Sequence, residues 1–119
     1  MAAPNIVSVG TITGKTAVQA IGTSATAIVT NSAASGKVFK VNTLLISNVD
    51  GSASANVTVD LYRSSTAYHI IKAAPIPAGS TLDILSTTSV YLEEGDSIRL
   101  TASVASDLEG IASYEEISE

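Results

Sequence analysis

The sequence predicts an all-β fold: an antiparallel β-sandwich, jelly-roll or a related Greek-key type, with about 7–9 short strands. Three observations carry this reading. Val, Ile, Leu and Ala are abundant while Trp is absent and Phe39 stands alone, and β-branched side chains suit a pleated surface better than a helix. Turn chemistry recurs at intervals of about ten residues. No stretch carries a convincing helical period. At 119 residues the chain suits one domain that buries roughly two thirds of its unfolded surface. Cysteine is absent, which excludes disulfides and thiolate metal sites, so stability rests on packing.

The elements follow in order. Residues 1–22 form a Thr-rich, low-charge opening whose strands have no clear register; it is either an assembly arm or a set of edge strands, and Gly22 closes it. Residues 23–119 make the sandwich. A-T-A-I-V-T at 25–30 alternates, and N-S-A-A-S-G at 31–36 is turn chemistry. Val38 to Asn48 is the longest strand candidate. Strict alternation puts Phe39, Val41, Leu45 and Val49 on one face and makes Leu44 and Ile46 a second apolar face, covered by the rest of the domain or by a partner. Asp50-Gly51 marks the next turn. Val57, Val59 and Leu61 face in, and R-S-S-T at 63–66 turns the chain into Ala67 to Lys72. Pro75 and Pro77 exclude a central strand there. Leu82 to Leu85, Val90 to Leu92, Ser97 to Val104 and Gly110 to Ile117 complete the set, with Ile98, Leu100, Ala102 and Val104 inward.

Each candidate for chemistry meets a plainer reading. Glu93, Glu94 and Asp96 surround Gly95 in Y-L-E-E-G-D-S-I-R-L, but a catalytic carboxylate pair needs a pocket that separates its two pKa values, and nothing nearby supplies one. A tight turn accounts for them, with Gly95 free to take positive φ and Asp96 capping backbone donors. V-G-T-I-T-G-K-T at 9–16 falls one residue short of a phosphate loop, and no helix follows. His69 is the lone histidine and no nucleophile elbow is present. The reading is therefore of no catalytic, cofactor or metal site, no small-molecule substrate, and a chain that is not an enzyme.

Charge divides the chain. Up to Leu82, five bases face two acids; from Asp83 onward, nine acids face Arg99, for a total of −5. An acidic chain without a basic stripe or stacking aromatics is a poor nucleic-acid ligand. The acidic part is a solvated face or one that meets basic surface on a neighbouring subunit. No apolar run reaches the length of about 20 residues that crosses a bilayer as a helix, and M-A-A-P-N lacks the pattern of a secretory signal, so the expectation is a soluble protein made in the cytoplasm without membrane contact.

The order A-T-A-I-V-T, A-S-G-K-V-F-K-V-N-T-L-L-I-S-N-V-D-G, A-N-V-T-V-D-L-Y, P-I-P-A-G-S-T-L, V-Y-L-E-E-G-D-S-I-R-L-T-A-S and S-Y-E-E-I-S resembles the small β-sandwich virion proteins of tailed bacteriophages, especially those of marine cyanobacterial phages. The resemblance spans roughly residues 22–118. It implies a structural protein of the virion, made in the host bacterial cytoplasm. The first expectation is a capsid decoration or cement protein, assembled as a homotrimer on the major capsid protein. A tail, collar, baseplate or fibre-base component is the alternative, and a carbohydrate-binding module for host attachment is the alternative from another class. Ile6, Val7, Val9 and Ile12 in the opening segment, with Leu44 and Ile46, are the expected assembly contacts.

Overall fold

The computed structural model describes residues 4–119, which form nine strands in two antiparallel sheets. They are β1 (Thr11–Ala20), β2 (Thr26–Thr30), β3 (Lys37–Asn48), β4 (Ala55–Arg63), β5 (Thr66–Ile76), β6 (Thr81–Asp83), β7 (Val90–Leu92), β8 (Ser97–Ala102) and β9 (Leu108–Ser118). The first sheet runs β1-β9-β3, with β6 and β7 pairing different parts of the far edge of β3. The second runs β2-β8-β4-β5. If β6 and β7 count as one interrupted strand, successive strands fill the two sheets in the eight-position order of a jelly roll. No helix among the described residues is long and apolar enough to cross a membrane.

Alternation explains most of the core. Val57 and Val59 of β4 and Ile98 and Leu100 of β8 are wholly buried between the sheets, as period-2 patterning requires. Val104 is the exception: β8 ends at Ala102, so Val104 falls in the following turn and is exposed. At Gly110 of β9 the sheets approach so closely that a Cβ would lie 2.8 Å from Leu100 Cδ1 and 3.4 Å from the Cδ1 atoms of Ile28 and Ile46. A missing side chain lets three long ones meet there.

β3 departs from simple alternation. Its register against β9 shifts between Val41 and Thr43, leaving Asn42 as the extra residue of a bulge. The bulge reverses the phase of the strand. Phe39 and Val41 before it and Leu44 and Ile46 after it therefore all point into the sandwich, and Leu44 and Ile46 are 0% exposed. The expectation that these two form a second apolar face for assembly is corrected: they are core. Leu45 and Val49, expected to share the face of Phe39, turn away from it, and Val49 is exposed.

The β4–β5 hairpin closes through Ser64 and Ser65, both at positive φ (52° and 60°), with Arg63 opposite Thr66. Two successive positive φ values are the signature of a type I′ turn, which Asn-Gly fills with least strain. Ser64→Asn with Ser65→Gly is expected to raise stability by about 1 kcal/mol, read as a higher denaturation midpoint with an unchanged slope.

The acidic corner and the candidate assembly surfaces

The acidic cluster is a structural corner. Gly95 sits at φ +88°, Asp96 N donates to Glu93 O at 3.0 Å, and Glu93 N donates back to Asp96 Oδ2 at 2.9 Å. Asp96 is buried and takes a two-point contact from Arg63 at the end of β4: Nε to Oδ1 at 2.8 Å and Nη2 to Oδ2 at 2.5 Å. Arg63 Nη2 also reaches Glu93 at 3.0 Å. Glu94 accepts from Gly36 N at 2.8 Å. All three acids thus have structural partners.

Asn31, also buried, binds this corner to the turn after β2. Its Nδ2 donates to Lys37 O at 2.9 Å and Leu92 O at 3.0 Å, and its Oδ1 accepts from Ser35 Oγ at 2.5 Å. Its backbone N donates to Asp96 O and its carbonyl accepts from Gly95 N. The side-chain amide therefore joins the start of β3 to the end of β7, and the backbone of the same residue adds the turn that leads into β8.

Burial pushes the Asp96 carboxyl up, but the hydrogen bonds from Arg63 and from Glu93 N–H more than offset this and hold it below the ordinary aspartate value. Glu116 is also held low, first by its hydrogen bond to Lys37 and further by Lys15, against the upward pull of burial. A carboxyl whose folded value is depressed contributes stability that is fully present above its unfolded value, about 4, and lost as pH falls through the folded value. Acid titration of the melting temperature is therefore expected to show a plateau above roughly pH 5 and a fall below roughly pH 4, and Asp96→Asn should flatten that fall.

Two further ion-pair groups cross strands. On the outer face of the second sheet, Arg99 donates to Asp60 (Nε to Oδ1, 2.9 Å) and its guanidinium carbon stands 3.9 Å from the centre of the Tyr62 ring, a stacked cation over an aromatic face. In the first sheet, Glu116 of β9 receives Lys15 of β1 at 3.0 Å and Lys37 of β3 at 2.7 Å. Lys15, Lys37 and Arg63 come from the basic part of the chain, while Glu116, Glu93 and Asp96 come from the acidic part. Part of the charge asymmetry is consumed within the subunit.

The expected assembly contacts divide. Ile6, Val7 and Ile12 are exposed, Val7 to 90% and Ile12 to 56%, and Val9 is half-buried. Residues 11–20 of the opening segment take the edge of the first sheet as β1, Ile21 enters the core, and residues 1–3 lie outside the described residues. Sequence reading missed Val18 and Ile111. Opposite each other on β1 and β9, they are 74% and 42% exposed, and the partly buried Leu45 lies opposite Ile111 on β3. These three residues make an apolar row across the outer face. The pattern T-A-V-Q-A held the signal, but without a register it could not be assigned a face.

An open depression of about 320 Å³ lies over Val18, Gln19, Ala20, Glu109, Gly110 and Ile111. Gln19 Nε2 is spent on Ala27 O at 2.8 Å, which ties β1 to β2. No aromatic residue lines the depression, and the exposed tyrosines Tyr68 and Tyr91 stand on β5 and β7, in different sheets. His69 is exposed on β5. Gly14, Lys15 and Thr16 lie within the continuous strand β1, with no loop around them. Among the described residues no three His, Cys, Asp or Glu side chains are grouped to hold a metal ion.

With this geometry established, comparison with known proteins adds a likeness of fold. A solved structure of Bacillus endospore appendages, described as disulfide-linked pili, has a similar fold, with a TM-score of 0.53 and 14% sequence identity over 91% of this chain and 88% of that one. No family model matches the chain, and no curated protein sequence does. The present chain has no cysteine, so any assembly through its own residues is non-covalent in respect of disulfides.

Proposed function

We propose that this chain is a non-enzymatic structural subunit that assembles with copies of itself, and that it serves as a capsid decoration protein on a tailed-phage particle. The observation that carries the assembly part is a contrast. The acidic corner is consumed in holding strands together, whereas the outer face of the first sheet presents exposed apolar side chains beside the edge strand β1. The phage part rests on the sequence resemblance.

The mechanism is adhesion by area. Each copy buries apolar surface against its neighbour or the shell, at roughly 25 cal/mol per Å² before the costs of association, and a ring multiplies modest contacts through effective concentration. A trimer seated on the major capsid protein fits the resemblance.

Gold labelling of purified phage particles with an antibody against this chain tests the placement. Label over the head is the expected result. Label confined to the neck or tail would replace decoration with a tail, collar or baseplate role, and particles without label would overturn a virion role altogether. The fold likeness to appendage subunits favours a second reading, an open polymer. Negative-stain microscopy of the purified chain separates the two: closed rings accord with decoration and extended filaments with the second reading.

A further inference from the structure

Sheet edges need protection from unwanted pairing, and natural proteins use short strands, bulges, prolines and charges to supply it. Three of the edge positions here are protected. β2 has five residues and a register shift. β6 and β7 have three residues each. β5 carries Lys72, Pro75, a positive φ at Ala73 and two register shifts against β4. β1 is different. It runs ten residues in unbroken register with β9, contains no proline, and has Lys15 as its one charged side chain. That charge is already bound to Glu116 of the same subunit.

We infer that β1 is a self-pairing edge: two copies join antiparallel through their β1 strands and make one continuous sheet across a twofold axis. This deepens the self-assembly part of the structural-subunit reading and rests on that part alone, since a twofold contact closes a pair and does not itself build a trimer. The occupant is a second copy because β1 is complementary to itself. Opposed residues in an antiparallel pair share a face, and an isologous contact that sets residue i of one copy against residue j of the other also sets j of the first against i of the second. Centred on Lys15, the pairing places Ile12 opposite Val18 on the outer face and Thr13 opposite Ala17 on the inner one. Ile12 and Val18 are the exposed large apolar side chains of the strand. The two lysines meet at the centre, each with its Glu116 attached.

The absence of cysteine makes introduced thiols clean reporters. Ile12→Cys and Val18→Cys proteins, mixed at equal concentration and mildly oxidised, are expected to form a covalent dimer about tenfold faster or more than either variant alone. In this register the same-residue thiols lie roughly 20 Å apart along the strands, beyond the reach of a disulfide, while positions 12 and 18 are direct neighbours. Thr13→Cys mixed with Ala17→Cys provides an independent pair on the other face, and the melting temperature of each variant checks its fold. Assemblies seen by light scattering with no acceleration in either mixture would overturn β1 pairing and leave the assembly reading standing. A chain that stays monomeric at every concentration and does not cross-link would overturn both.

Discussion

Leu44→Ala is expected to destabilise the isolated subunit by roughly 2–5 kcal/mol, with a melting temperature lower by roughly 10 °C or more. Leu44 is wholly buried and belongs to the cluster formed with Ile46, Leu100 and Ala112. Truncation removes apolar area from the interior and leaves a cavity that two hydrogen-bonded sheets cannot close over. The result separates two roles for this residue. Were Leu44 an assembly contact, the variant would melt like the parent and associate less; as a core residue it melts early whether or not the protein associates. Val18→Ser, on the exposed outer row, supplies the opposite pattern, with little change in melting of the dilute chain.

Asn31→Ala is expected to lose roughly 2–4 kcal/mol, although it removes little apolar area. The Lys37 and Leu92 carbonyls lose their amide donor and Ser35 Oγ loses its acceptor, and an unsatisfied buried polar group costs more than the bond it replaced was worth. Asn31→Asp is the sharper variant. It preserves shape and the acceptor for Ser35, yet turns a carboxylate oxygen toward two carbonyl oxygens, so it is expected to be at least as damaging as Ala. Urea denaturation of the three proteins measures this. A near-parental midpoint for Asn31→Asp would remove the Asn31 side chain from its place as the link between the start of β3 and the end of β7.

The strands were legible because alternation and turn residues are local signals. V-T-V-D-L and S-I-R-L-T-A declare an inner and an outer face without help from the rest of the chain, and Gly95 marks its turn in the same way. The face of β3 was not legible beyond Val41, because the bulge at Asn42 arises from pairing with β9 and K-V-N-T-L-L contains no glycine to announce it. Local sequence marks Asp96 as a turn cap, but its Arg63 partner lies 33 residues away, and nothing in either segment identifies the other. The division of charge along the chain was the one available hint, since Arg63, Lys15 and Lys37 all find their acids in the later part. β1 was the least legible strand, because both of its faces are largely exposed and no apolar alternation records its direction.

Multi-angle light scattering on the purified chain over a concentration series tests most directly whether this molecule works by association. The expected mass is that of two or more chains, falling toward 12.1 kDa on dilution. A constant 12.1 kDa at every concentration, up to the highest at which the protein stays in solution, would contradict it.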